Sequence, residues 1–444
     1  MPIPAPLARR EFLKQAAGAA VWPAIVPASA LGLNGATPPS DRIVMGAIGV
    51  GRMGTGDMRG FLQHEDVRMA AVCDAQESAQ ARAKDVVDTR NGDNACARYG
   101  DYRELLARKD IDAVLIATGE RWHPSIVIEA ARQGKHIYCE KPLAVSVGEA
   151  KAARAAVRRV GVAFQFGTQQ RSSQYYRFAV ELARNGRIGE LKKVLICSNG
   201  GYGYARPLPP EETKDPPRGF DWDMWLGAAP WAPYSEPRVS GLWMSIADYG
   251  LGHMGGLWGV HDVDIAQWVN DADHTTPVSV EGTGVYHSDI RDTAYIYDIE
   301  YRYASGVIVE YMDLSTAKRK YEQFRYGAMA SCFVGTKGWV YVAREGVRTH
   351  PDSLMRSFIG PHEVRVIHSN DHKRNLLDAI KSGQKTISTV EAAAHDEMMC
   401  QMGDIAMRLK RKLRWDPVQE FFPGDEDANR RLARSMRAPW RIDL

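Results

Sequence analysis

One local unit constrains this chain more than any other. An apolar run of strand length, Ile43 to Ile48, breaks at Gly49-Val50-Gly51-Arg52-Met53-Gly54 and resumes with helical spacing. A G-x-G-x-x-G turn between a strand and a helix is the opening of a βα unit that receives a dinucleotide. Gly49 permits the tight turn and Gly51 lets backbone approach a pyrophosphate. Gly54 lets helix and strand pack closely, with the phosphates at the helix N-terminus. Val50, Arg52 and Met53 ride on the same loop and count as cofactor-binding positions with it. A second apolar run, VRMAAVCDA, ends in Asp74, twenty residues beyond Gly54. An acid there accepts from ribose hydroxyls and repels a 2′-phosphate, which predicts NAD over NADP.

The βα alternation continues. IDAVLIATG, KHIYCEKPLA and VAFQFGTQQR read as strands; PSIVIEAARQG and VGEAKAARAAVRRVG read as helices. Strands alternating with helices predict a parallel doubly wound sheet whose ligands sit at the strands' C-terminal ends. Thr118, His123, Glu140, Lys141 and Gln169 all lie at or just beyond such ends. They are therefore counted as cofactor-binding positions.

At 444 residues the chain exceeds one small core, so two domains are expected. The first is a Rossmann domain over residues 42–170. The remainder, residues 171–444, holds LKKVLICS, PVSVEGTGVYH, TAYIYDIEYRY, GVIVEYMD, MASCFVG and GWVYVA with few helices between them. That pattern predicts an α+β domain on a large, mostly antiparallel sheet. Two helical segments, HKRNLLDAIKSG and VEAAAHDEMMCQMGDIAMRLKRKL, follow near the end. A net charge of +3 without a basic tract gives nucleic-acid binding no support. The six cysteines have no short metal or redox spacing and read as small buried hydrophobes.

The N-terminus reads as an address. Twin arginines in RREFLK, a weakly apolar run and the small residues Ala28-Ser29-Ala30 suggest a twin-arginine export signal over residues 1–30, followed by a linker over 31–41. The apolar run is shorter than the about 20 residues of a spanning helix. A periplasmic or otherwise exported protein, handled by the twin-arginine machinery and without stable membrane insertion, is expected.

Residues 200–245 form a long irregular stretch whose Trp222, Trp225, Trp231, Tyr234 and Trp243 argue against disorder. They either offer stacking faces to sugar rings, or clamp the loop onto its own domain. Just beyond lies GHMGGLWGVHDVD, residues 252–264, with two histidines eight apart. That is not the spacing of two imidazoles on one helical turn, so acid/base work is favoured over a metal. If Val260 to Trp268 is helical, His261 and Asp264 share a face.

Three elements together, GVGRMG, CEKPLA and GVHDVD, resemble the Gfo/Idh/MocA family, and WHP and DWDMWLG are similar to one of its branches. The resemblance implies NAD- or NADP-dependent oxidation or reduction of a sugar or cyclitol hydroxyl, with Lys141 at the reacting hydroxyl and His261 in the site. It also implies a dimer or tetramer packed through the second domain's sheet, and a C-terminal segment returning to the first domain. The family usually has an aspartate four residues before the histidine; here that place is Leu257. Asp264, His253 or Asp262 would then assist His261. Trp225, Trp243 and His261 are expected substrate-binding positions; Arg171, Tyr202 and His372 are further candidates, each with an equal reading as a satisfied structural residue. Export favours tightly bound, recycled NAD. The alternative implied by the resemblance is redox-neutral glycoside cleavage of the glycoside hydrolase family 109 kind. A non-catalytic sugar-binding role is a third reading, which the intact glycine loop and Lys141 disfavour.

Overall fold

A computed structural model describes residues 38, 41–325 and 329–442. The export signal and nearly all of the linker read from the sequence lie outside the described residues. The described residues from Ile43 onward form one unit.

The first sheet has six parallel strands, β1 (Ile43–Ile48), β2 (Val67–Cys73), β3 (Ala97–Tyr99), β4 (Ala113–Ile116), β5 (His136–Cys139) and β6 (Phe164–Phe166). Their order is β3-β2-β1-β4-β5-β6, so the order reverses beside β1. Helices cover both faces, which is why β1 and β4 are apolar in nearly every position instead of alternating. The helices are α1 (Arg52–Phe61), α2 (Glu77–Asn91), α3 (His123–Arg132) and α4 (Val147–Val160). Helix α4 shows why they start and stop where they do. The Ser146 hydroxyl accepts from the Glu149 N–H, and Gly161 closes the helix at φ 78°.

The second sheet contains β7 (Leu191–Ser198), β8 (Ser279–Tyr286), β9 (Ala294–Arg302), β10 (Ile308–Asp313), β11 (Ala330–Gly335), β12 (Trp339–Ala343), β13 (Gly346–His350) and β14 (Leu413–Arg414). Its order is β13-β12-β11-β7-β10-β9-β8-β14. Only the β7–β10 pair is parallel. Helices α5 (Gln174–Arg184) and α6 (Gly259–Val269) pack on the second sheet, α7 (His372–Ser382) packs on α1, and α8 (Val390–Leu409) touches strands of both sheets.

A straight cut at residue 170 divides the sequence but not the packing. Helix α8 lies on α4 and α6, and α7 lies on α1. The Phe166 N–H donates to the Ser388 carbonyl at 2.9 Å, and Lys373 pairs with Asp57 at 2.9 Å. The C-terminal helices are thus as much part of the first domain's wall as of the second's. All six cysteines are buried and free.

The aromatic loop is ordered by its own contacts. Trp222 and Trp225 stack at 4.9 Å, the Trp222 indole N–H donates to the Ala232 carbonyl at 2.8 Å, and Arg238 pairs with Glu211 at 2.6 Å. These contacts are those of a clamp, and the inner edge of the loop also lines a cavity.

Candidate active site

A cavity of about 740 Å³ runs from the glycine turn, past the ends of β2, β4 and β5, to the segment before α6. The glycine turn needs its glycines. Gly49 has φ 81°, and a Cβ there would lie 2.6 Å from the Ala117 carbonyl carbon. A Cβ on Gly54 would lie 1.9 Å from the Gly49 carbonyl oxygen, while one on Gly51 would meet only open space. Gly51 therefore faces the room a pyrophosphate needs, at the start of α1. The exposed Arg52 and Met53 line the same space. Asp74 closes its far side: one carboxyl oxygen accepts from the Val50 N–H and the other from the Gln76 N–H, each at 2.9 Å. Burial raises the Asp74 carboxyl, and these two N–H groups and Arg82 offset it. The residues present fit a dinucleotide.

Lys141 follows β5 and lines the cavity beside Thr118 and Glu140. Its ammonium donates to the Gly256 carbonyl at 2.5 Å, so it faces the segment that leads into α6. Glu140 lies beneath it, accepting from the Gln169 amide at 2.8 Å, and burial lifts its carboxyl to about 8. Gln169 also donates to the Tyr138 hydroxyl, so it braces Glu140 from behind the cavity wall. His123 is buried as well. Its Nδ1–H donates to the Pro142 carbonyl at 2.5 Å, and its Nε2 lies 3.1 Å from the Thr118 carbonyl. Burial lowers that imidazole to about 4, so it is a neutral strut holding the Lys141 loop against β4 and does not line this cavity.

Several expected positions are corrected by their partners. Asp264 does not orient His261. Arg171 Nε lies 2.8 Å from each Asp264 oxygen, and the rest of the guanidinium reaches Asp273 at 2.6 and 2.8 Å. Arg171 is 1% exposed and Asp264 0%, so neither is placed to meet a substrate. His372 is spent inside too, between the Ser172 hydroxyl at 2.8 Å and the Phe166 carbonyl at 2.7 Å. His253 is not on the cavity wall; it lies edge-on to Tyr204 at 4.2 Å and within the field of His287 and Arg291. Tyr202, 68% exposed, is not on the cavity wall. Asp262 accepts from the Ser198 hydroxyl at 2.7 Å on the sheet side of α6, where burial lifts it to about 7.

His261 lies just behind the wall that Gly256 and Leu257 form. It feels the Lys141 charge, its Nδ1 has no hydrogen-bond partner, and burial holds its pKa well below the usual histidine range. Trp225 and Trp243 do line the cavity.

Two residues that the sequence reading passed over stand at the centre, in the turn after β4. Arg121, 2% exposed, donates to the Trp225 carbonyl at 2.6 and 3.0 Å and lies 3.8 Å from that ring's centre. It ties the aromatic loop over the cavity, and burial lowers it to about 9. Glu120, also 2% exposed, lines the cavity, and its carboxyl oxygens have no side-chain hydrogen-bond partner; the Leu251 N–H is the backbone donor nearby. The signal was the charged pair in GERWHP directly after an apolar strand, the position where α/β folds put their ligands.

Comparisons with known proteins agree with this architecture. A family model described as the NAD-binding Rossmann fold of an oxidoreductase family matches residues 43–168, and the model of that family's C-terminal α/β domain matches residues 181–442. An uncharacterized oxidoreductase, YrbE of Bacillus subtilis, is 35% identical over 157 residues, covering 35% of this chain and 44% of that protein. A glycosyl hydrolase family 109 protein of Shewanella baltica is 36% identical over 115 residues, 25% of each chain. These matched stretches span less than half the length of either relative. Among solved structures, aldose-aldose oxidoreductase from Caulobacter crescentus aligns with TM-score 0.60 and 19% identity, over 84% of this chain and 99% of that one. Scyllo-inositol dehydrogenase from Lactobacillus casei, with bound NAD(H) and scyllo-inositol, aligns with TM-score 0.59 and 14% identity over the same shares. At these identities the structures speak for the fold alone.

Proposed function

Since the chain belongs to the Gfo/Idh/MocA oxidoreductase family, we propose that it oxidises and reduces a ring hydroxyl of a sugar, glycoside or cyclitol in the cavity between the glycine turn and Gly256. The observation that carries this reading is Lys141, whose ammonium stands on the wall of the space that begins at Gly51. A bound nicotinamide supplies the hydride acceptor. Lys141 holds the reacting oxygen and moves its proton, a form of acid/base help worth about 10²–10⁴ in rate. Trp225 and Trp243 offer apolar faces to the ring, and the Arg121 clamp keeps water out by fixing them. Asp74 favours NAD over NADP by repelling a 2′-phosphate. We further propose that the protein is exported through the twin-arginine route with its NAD tightly bound, and that it works as a homo-oligomer.

Leu257 favours a second reading. An apolar residue on the wall beside Lys141 leaves net dehydrogenation without its usual carboxylate partner there. Redox-neutral glycoside cleavage, in which the hydride is returned to the same substrate, needs no outside recycling of NADH.

One experiment separates the readings. Any bound nicotinamide is released and identified spectroscopically from the purified protein, which is then incubated with a panel of glycosides and cyclitols. A stable keto-sugar, or reduction of an added keto acceptor, supports the oxidoreductase; aglycone release without net NADH supports the glycosidase. Lys141→Ala should lose about 10²–10⁴ of the turnover while keeping its affinity for NAD. Full turnover in that variant would overturn both readings.

A further inference from the structure

Glu120 is a buried carboxyl in a space carved for it. A Cβ on Gly256 would lie 1.6 Å from its Oε1, and one on Gly250 would lie 2.6 Å from its Oε2. Each element packed against it presents a group. Lys141 approaches from the loop after β5, Glu397 and Cys400 from α8, the Leu251 N–H from the segment before α6, and Arg121 from its own turn. Arg121 is committed to Trp225. Glu397 has one oxygen taken by the Gln401 amide at 2.8 Å and the other free. Two carboxyls in the protein interior with one lysine near them cannot both be ionised cheaply.

The missing charge is one the cavity receives only part of the time. A nicotinamide ring is positively charged when oxidised and neutral when reduced. A positive ring in the cavity favours the Glu120 carboxylate, and a neutral ring favours the acid.

We propose that Glu120 takes up a proton when the nicotinamide in this cavity becomes reduced and releases it when the ring is oxidised, so that Lys141 and Glu120 store the proton that accompanies each hydride. The proposal rests on the dinucleotide site described above. In the oxidising direction the carbinol C–H bond breaks, and its hydrogen leaves with both electrons to the oxidised ring. The O–H bond breaks as well, and its proton passes along Lys141 Nζ to the Glu120 carboxylate, leaving a C=O bond. In the reducing direction the carbon regains the hydride and the oxygen regains the proton from Glu120. No proton needs to be exchanged with solvent during the hydride step, and no further oxidant is consumed. Glu397 stands behind Glu120 as the second carboxyl that makes ionisation without the positive ring unfavourable.

Linkage makes this measurable without a substrate. NAD⁺ and NADH are titrated calorimetrically into the full chain across pH 6–9, in two buffers of different ionisation enthalpy. Close to one more proton should be taken up with NADH than with NAD⁺. Within that window the preference for NADH over NAD⁺ should weaken by up to about tenfold per pH unit as pH rises. In Glu120→Gln the ratio should be flat, and the NADH-minus-NAD⁺ infrared difference spectrum should lose a protonated-carboxyl band. Equal proton uptake for the two nucleotides in the wild-type chain would overturn the proposal, whatever the variant does. The same slope in a folded Glu120→Gln would overturn it too. If neither nucleotide binds, the dinucleotide reading itself falls and takes this proposal with it.

Discussion

Removing the Arg171 guanidinium should separate a structural ion network from a substrate site. Arg171 is the cation between Asp264 and Asp273, at 2.6 to 2.8 Å from their oxygens, and it is 1% exposed. Asp396 of α8 stands against the same group, pushed well above the usual carboxylate range by burial and by the Asp264 charge. Arg171→Met would leave Asp264 buried without its partner, a change that costs about 3–5 kcal/mol in comparable sites. Spread over a cooperative unit of roughly 400 residues, whose unfolding entropy is about 0.8 kcal/mol/K, this lowers Tm by about 4–6 °C. The loss should shrink as pH falls, because burial raises the Asp264 carboxyl and, without Arg171 to offset it, favours its protonated form. Arg171→Met/Asp264→Leu should recover much of it, since an apolar replacement of the whole pair leaves no orphan charge. Calorimetry at pH 7 and 5 measures the shifts, and NAD titration checks that nucleotide affinity is retained. A variant with unchanged Tm and abolished substrate binding would refute the structural assignment and return Arg171 to the substrate.

Two further outcomes follow from the same geometry. Gly51→Ala should fold with an unchanged Tm, because its Cβ meets nothing in the protein, yet lose roughly 10- to 100-fold in NAD affinity; Gly54→Ala, blocked at 1.9 Å by backbone, should lose both stability and binding. Thermal stability should fall as pH rises from about 5 to 8. Glu140 and Glu397, each lifted to about 8 by burial, and Asp262, lifted to about 7, stay protonated in the fold while the unfolded chain ionises them near 4. The opposite limb belongs to acids such as Asp66, held at about 2 by Arg374 and Lys381 against the effect of burial, whose contribution is lost in strong acid. A Tm that climbed steadily from pH 5 to 8 would contradict these buried neutral acids.

What could be read before the fold was known follows a physical division. The glycine turn, Asp74 and Lys141 were legible because each is defined by local pattern: a turn between two periodicities, or a polar residue where an apolar strand ends. Tryptophans 225 and 243 were legible as a group, since a loop with that much apolar surface must cover something. Arg171 and Asp264 were not, because they are 93 positions apart and their meaning lies in one ion pair. His253 and His261 look equivalent in sequence. The turn at Gly255-Gly256 sends one toward Tyr204 and sets the other behind the Lys141 wall. Buried acids are the least legible, since an Asp or Glu is ordinarily solvated; the strand-end position of Glu120 signals a site, but its residue types do not announce its burial.

Leu257, Gly256 and Glu120 make one change when considered together. A carboxylate at position 257 would stand on the wall beside Lys141; the chain places leucine there and brings an acid to the same cavity from the turn after β4. Glycine at 256 is the condition for that exchange, since any side chain would occupy the Glu120 carboxyl's place at 1.6 Å. Were both acids present, two carboxyls would compete for one ammonium at a buried site, and one would be driven to the neutral form. Leu257→Asp in the wild-type background should therefore weaken stability and leave turnover no better. In the Glu120→Gln background the same substitution should restore part of the lost turnover and part of the pH dependence of the NADH-to-NAD⁺ affinity ratio. The two changes should be coupled by about 1 kcal/mol or more, as for residues that share a partner. Strict additivity in that cycle would mean that the two positions serve different groups, and that Leu257 is only a piece of apolar wall.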